Sequence, residues 1–141
     1  MPDITSFTPF PAWSTSTVET AGADTANSTF VPVTGGAANV KGSYAQIIAS
    51  TSKRAIAITV IAQNSSSGAP YAIDIATGGA GSEVVLIGNI LLRIEDTLGD
   101  ARTASFPVLI PAGTRIAARC QERDHTGATV AVGVALIEDD A

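Results

Sequence analysis

His125 is the single histidine and Cys120 the single cysteine of this 141-residue chain. Histidine, the commonest general base, and cysteine, the strongest ordinary side-chain nucleophile, therefore occur once each. His125 sits in Arg123-Asp124-His125-Thr126-Gly127, a hairpin-loop composition that fits an exposed loop histidine better than a general base. A lone cysteine allows neither an intrachain disulfide nor a Cys-based zinc site. Carboxylates offer the remaining chemistry. Glu95, Asp96 and Asp100 fall in one acidic loop, and Asp139 and Asp140 stand at the C-terminal end. Such oxygens suit calcium, but the spacing is not that of an EF-hand, and a solvated acidic turn is the simpler reading. Glu122, Asp124 and His125 carry the donors of a surface transition-metal site, the weaker of the two metal readings. No Gly-x-Ser-x-Gly occurs, nor a phosphate loop ending in Gly-Lys-Ser/Thr. Gly79-Ala80-Gly81 lacks the third glycine of a dinucleotide fingerprint and leads into a strand. The chain is therefore read as a non-enzyme with no catalytic residue, metal site or cofactor.

Recognition by contact is the other kind of chemistry, and aromatics are its usual currency. Phe7, Phe10, Trp13 and Phe30 are four of the seven aromatics, and all lie in the first forty residues. Pro2, Pro9, Pro11 and Pro32, with Ser and Thr between them, interrupt that segment and leave no helical or strand period. A linker would be polar and poor in aromatics. Residues 1–41 are therefore read as an extended N-terminal arm that gains order on a partner, with Phe7, Phe10, Trp13 and Phe30 as its partner-binding residues. After residue 40 only Tyr44, Tyr71 and Phe106 remain. Tyr71, after a proline at a strand start, and Tyr44 would have to form any stacking platform for sugar, whereas Phe106 reads as core.

Composition narrows the partners. The formal charge is −5 and no basic stripe exists, which argues against nucleic acid. Charged residues are 15%, against about 25% in typical soluble domains. Such a neutral, small-residued surface is suited to being covered by neighbours. Met1-Pro2-Asp3 lacks the basic and apolar regions of a signal peptide, and the longest apolar run, 54–62, is too short to span a membrane. The expected compartment is the cytosol or a particle assembled there.

The elements that would position these residues are strands. From Tyr44 onward, β-branched runs alternate with turn signals at short spacing, which predicts an all-β sandwich. In 53–63, Ile56, Ile58 and Val60 fall on one face and Ala55, Ala57 and Thr59 on the other. Residues 83–87 and 90–94 read as two strands joined by Gly88-Asn89, a type II′ hairpin signal. Pro111-Ala112-Gly113 reads as a three-residue hairpin loop between strands in 102–121, with Pro107 marking an edge or bulge. In 129–137, Val130, Val132, Val134 and Leu136 point inward, and Ala131, Gly133 and Ala135 line the other face. The count is about eight strands over 42–141, predicting an antiparallel jelly-roll-type β-sandwich; an immunoglobulin-like sandwich is the alternative. The small-residue faces are either a drifted solvent surface or a place where another subunit approaches closely.

Three strings carry a resemblance. They are Gly42-Ser43-Tyr44-Ala45-Gln46-Ile47-Ile48-Ala49-Ser50-Thr51, the pair 71–75 and 81–85, and Phe106-Pro107-Val108-Leu109-Ile110-Pro111-Ala112-Gly113-Thr114-Arg115-Ile116-Ala117-Ala118-Arg119. In strand pattern and turn placement, residues 42–137 resemble small structural proteins of tailed-bacteriophage virions. The resemblance implies a jelly-roll-like domain that decorates a capsid or belongs to a neck, spike or fibre. Such domains occur in many copies, often as trimers, and their N-terminal arms commonly dock on neighbouring virion components. The expected partners are sister subunits in a homo-oligomer and capsid, neck or fibre proteins, with no nucleic acid and no membrane. The expected location is the virion, assembled in the host cytoplasm. A receptor- or glycan-binding module on a fibre or spike is the alternative.

Overall fold

A computed structural model describes residues 18–21, 30–94 and 101–138. Among the described residues there are nine strands: β1 (Val18–Ala21), β2 (Val31–Thr34), β3 (Ala45–Ile48), β4 (Ala55–Gln63), β5 (Pro70–Thr77), β6 (Val84–Arg93), β7 (Ala101–Ile110), β8 (Ile116–Glu122) and β9 (Thr129–Glu138). One sheet has the order β2-β9-β4-β7, with β1 also on β9, and the other has the order β3-β8-β5-β6. Every pairing is antiparallel. From β2 onward the chain crosses between sheets at each connection except β5 to β6, which are neighbours. That interleaving is the eight-stranded jelly roll, not an immunoglobulin sandwich.

Two-residue periodicity builds the core. Val130, Val132, Val134 and Leu136 of β9 are fully buried between the sheets, facing Ile73 and Ile75 of β5 and Ile116, Ala118 and Cys120 of β8 in one cluster. Each such aliphatic contributes on the order of 1.5–3 kcal/mol when fully buried. On β4 the inward set is Ala55, Ile58, Val60 and Ala62, because a register shift between Ala55 and Ala57 turns Ile56 off the expected face. Pro107 stands opposite Ala57 at that shift, on β7, the outermost strand of its sheet. A residue without an N–H is tolerated there.

Three further expectations about the strands and their connections differ from the structure. The segment read as an arm contributes strands: β1 and β2 lie one after the other along β9, with Val18 opposite Ile137 and Val33 opposite Val130. Val33 is fully buried. These strands have only four residues each, too short for a period to show, and their pairing partner lies a hundred residues away in sequence. The second difference concerns Gly88-Asn89, which is no hairpin. β6 runs straight through it as one ten-residue strand, and three of its steps, from Ile87 to Ile90, oppose two steps of β5, from Ile75 to Ile73. Asn89 takes positive φ at this bulge, and its N–H, lost to the ladder, donates to Asp74 Oδ1 at 2.8 Å. Residues 42–141 therefore hold seven strands, β3 to β9, and β2, from the segment read as an arm, completes the eight of the jelly roll.

Pro111-Ala112-Gly113 is also no hairpin loop, since β7 and β8 belong to different sheets. Its turn chemistry is intact, with Gly113 at φ 77, but it carries the chain across the end of the sandwich. Thr51, almost fully buried, ties this corner to the β3–β4 connection. Its N–H donates to Thr114 O, its carbonyl accepts from Gly113 N–H, and its hydroxyl donates to Pro111 O and accepts from Thr114 N–H. A local turn signal specifies a change of direction, not which strands will pair.

Candidate interaction surface

Polar chemistry is concentrated on the outer face of the β3-β8-β5-β6 sheet. Asp74 of β5 and Arg119 of β8 are cross-strand partners, and Arg119 Nε donates to Asp74 Oδ2 at 2.8 Å. Lys41, from the β2–β3 connection, donates to Asp74 Oδ1 at 2.9 Å and to the Ala72 carbonyl at 3.0 Å. Asp74 is only 3% exposed. Burial pushes its carboxyl up, but the Asn89 N–H and the Lys41 and Arg119 cations outweigh that and hold it below the ordinary value. The Arg119 guanidinium lies 4.8 Å over the Tyr44 ring, a cation–π contact. Towards one end of the same sheet Arg115 reaches Gln46, the Gly78 carbonyl and Glu83 at 2.9–3.0 Å.

His125 is an exposed loop residue, as its sequence context predicts. Its Nδ1 lies 2.8 Å from Glu122, whose buried carboxylate also accepts the N–H groups of Asp124 and His125. Burial raises the Glu122 carboxyl, yet these donors together hold it below the ordinary value. With its oxygens committed to the loop backbone, Glu122 shapes the turn at 123–127 and is poorly placed to face a metal. Among the described residues no group of three or more potential ligands converges. The acidic residues Glu95, Asp96, Asp100, Asp139 and Asp140 lie outside the described residues. Cys120 is buried, and burial pushes its thiol up to about 11, so it is an inert core residue.

The expected exposure of Tyr71 is corrected. Its ring is fully buried and its hydroxyl donates to the Thr129 carbonyl at 3.2 Å. Pro70 begins β5 at full register opposite Arg93, so Tyr71 takes the inward position of the strand. With Tyr71 in the core and Tyr44 under Arg119, the two tyrosines do not form a shared platform. Phe106 packs partly buried against the core, as expected. Of the four proposed contact aromatics, Phe30 is half-buried immediately before β2, while Phe7, Phe10 and Trp13 lie outside the described residues.

The feature that sequence reasoning missed is at the opposite edge from β1 and β2. β6 and β7 are the outermost strands of their sheets and lie on the same side of the sandwich. β6 reads Val-Val-Leu-Ile-Gly-Asn-Ile-Leu-Leu-Arg, yet only Ile90 is buried. Val84 is 68% exposed, Leu91 72%, and Leu109 of β7 61%. An apolar run without alternation normally belongs to a strand covered on both faces. The signal was therefore present in residues 84–92; what it could not show was that the strand ends a sheet. At one end of this edge, Leu86 and Leu109 flank an open cleft of about 620 Å³ with Thr77, Gly78, Ile110 and Pro111.

The outer face of the other sheet is built from small and hydroxyl side chains. Thr59 of β4 stands between Ala135 of β9 and Ser105 of β7 and shares a hydrogen bond with Ser105 at 2.8 Å. Gly133 is buried and Ala131 and Ala135 half-buried, so this face is flatter and better covered by its own neighbours than its sequence suggests.

No family model matches the chain, and comparison with curated proteins gives no match. Among solved structures, the chain is similar to infectious bursal disease virus, Gx strain, at 14% identity and TM-score 0.38, over 89% of this chain and 33% of that one. It is similar to the VP2 subviral particle of the same virus at 15% identity and TM-score 0.37, over 88% and 33%. It is also similar to the CBM22-1 xylan-binding domain of Paenibacillus barcinonensis Xyn10C, at 11% identity and TM-score 0.44, over 89% and 83%. The chain thus spans about a third of the viral chains it matches. The jelly-roll assignment rests on this chain's own strand order, β2-β9-β4-β7 against β3-β8-β5-β6.

Proposed function

We propose that this protein is a non-enzymatic structural component of a virion, of the kind carried by tailed bacteriophages, that works by assembling with copies of itself and with neighbouring particle proteins. The observation that carries the reading is β6, a ten-residue apolar strand at a sheet edge with one buried side chain. An exposed apolar edge of this length invites pairing with another chain and is normally blunted in a free monomer. The N-terminal segment supplies the second half of the reading. Phe7, Phe10 and Trp13 gather large apolar area in a short stretch, and each contributes on the order of 1.5–3 kcal/mol if buried in a partner. Ordering the segment opposes that gain, so one contact is modest and several on one oligomer are strong.

The test is the mass of the purified protein by light scattering, followed by binding of full-length and shortened chains to particles lacking it. The shortened chain must begin near Val18, because removal of residues 1–40 would take β1 and β2 out of the sheet. An oligomer that loses particle binding when residues 1–17 are removed supports the reading. A full-length monomer that binds no particle overturns it.

A glycan-binding role is the second reading, favoured by a shallow depression of about 280 Å³ where Asn39, Gln121 and Arg123 surround the exposed Leu91. It predicts sugar binding that survives removal of residues 1–17.

A further inference from the structure

The depression beside Leu91 is built by three neighbouring strands. Leu91 of β6, Ala72 of β5 and Gln121 of β8 stand side by side on the outer face, in a row about 10 Å wide. Ala72 is the small residue in the middle. The row therefore dips there, over an apolar floor of Ala72 and Pro70 with Leu91 as one wall. The opposite wall is amide. Gln121 Nε2 donates to Asn39 Oδ1 at 2.7 Å, which leaves Gln121 Oε1 and Asn39 Nδ2 without a partner among the described residues.

One row further along the sheet, about 7 Å away, Lys41 and Arg119 meet Asp74. Both cations are answered by that carboxylate, yet two positive charges share one negative. The acceptor is fully used, since Oδ1 takes Lys41 and the Asn89 N–H while Oδ2 takes Arg119 Nε. The donors are not. Arg119, 32% exposed, spends only its Nε, so both Nη groups are free of hydrogen-bond partners among the described residues. Lys41 keeps one of its three N–H groups after serving Asp74 and the Ala72 carbonyl. Arg123, which also lines the dip, is closed on Asp124 by bonds of 2.9 and 2.8 Å and adds no net charge. What remains is a surplus of donors and one positive charge beside an apolar dip with an amide edge. A bare inorganic anion would leave Leu91 and Ala72 unused, and a neutral sugar would leave the charge unused. A rigid ring bearing a carboxylate and hydroxyls uses both, without the ordering cost of a flexible acidic peptide.

We propose that this face of β5, β6 and β8 is a binding site for an acidic saccharide, its uronate carboxylate on Arg119 and Lys41 and the CH face of its ring against Ala72 and Leu91. The ring hydroxyls fall to Gln121 and Asn39. This rests on the glycan reading of the depression given above and names its ligand class; it is independent of how the subunits assemble. The test titrates the full-length protein with digalacturonate, its neutral counterpart galactobiose, acetate and a triaspartate peptide, by calorimetry and saturation-transfer NMR. Digalacturonate should bind about tenfold more tightly than galactobiose, the worth of one charge-assisted hydrogen bond. Arg119→Gln should abolish that preference, whereas Arg102→Gln, the same charge change on the other sheet, should leave it intact. Gln121→Ala disturbs no ion pair and should weaken both sugars, so it reads the site even where Arg119→Gln does not fold. Equal binding of the two sugars overturns the acidic assignment and keeps the glycan reading; binding of neither removes both. Acetate or the peptide binding as tightly as digalacturonate overturns the saccharide assignment.

Discussion

On the outer face of the β3-β8-β5-β6 sheet, Asp74 is met by Lys41, Arg119 and the Asn89 N–H, and Arg119 in turn covers Tyr44. At the margin of the same sheet, β6 leaves Val84 and Leu91 facing outward, 68% and 72% exposed. The first region is finished within the monomer, every charge answered by another group of the same fold. The second keeps large apolar side chains exposed. In this polar face the charges of Lys41, Asp74 and Arg119 serve one another within the fold. Apolar area, not charge, is what the β6 edge leaves exposed.

Predictions that test this contrast fall in order of expected size. The largest comes from Gly42, beside Lys41, where a Cβ would stand 1.9 Å from the Thr34 carbonyl oxygen. Gly42→Ala must displace backbone and with it the approach of Lys41 to Asp74, at about 3 kcal/mol, the upper end of overpacking costs. Chemical denaturation should show the lowered midpoint. Asp74→Ala comes next, leaving two cations and the Asn89 N–H without their acceptor. Lys41 and Arg119 keep partial access to water, with side chains 17% and 32% exposed, so the loss is about 2 kcal/mol rather than that of a fully buried pair. Its oligomer mass should be unchanged; a changed mass would show that the polar face also serves assembly.

Acid sharpens the same point. Asp74 and Glu122 are held below their ordinary values in the folded protein. Their contribution is therefore present above the unfolded carboxylate range, about 4, and is lost as pH falls through the lower folded values. Stability measured from pH 6 to pH 2 should fall below about pH 4, and Asp74→Asn should flatten that slope. An unchanged slope would remove Asp74 from the account. The smallest stability effect belongs to the edge. Val84→Ser with Leu91→Ser should shift unfolding by no more than about 0.5 kcal/mol, because both side chains are already in water. The same pair should lower the oligomer mass seen by light scattering. A large stability loss in the isolated chain would show that the edge is covered from within.

How much of this was legible depends on how far each residue's partner lies along the chain. The inward set of β9 followed from alternation alone, and so did the exposed, unremarkable position of His125 in its loop. Gly88-Asn89 misled because the same dipeptide serves a hairpin turn and a bulge; Asp74, fifteen positions earlier, decides between them by taking the Asn89 N–H. Tyr71 misled because a proline before a strand does not say which face the next residue takes. β2 was invisible for another reason. Val31-Pro32-Val33-Thr34 has no pattern of its own and is a strand because Val130 and Val132 lie alongside it.

Alternation between apolar and polar residues determined that this chain is a stack of strands with one core, since the two-residue period of a strand is a local property of the backbone. Composition determined that His125 and Cys120 offer little chemistry. The tertiary structure alone decided which strands are neighbours, because pairing joins residues more than a hundred positions apart and no local signal ranks the choices. It placed β6 at an edge instead of a centre, and so left Val84, Val85 and Leu91 of an ordinary-looking apolar run exposed.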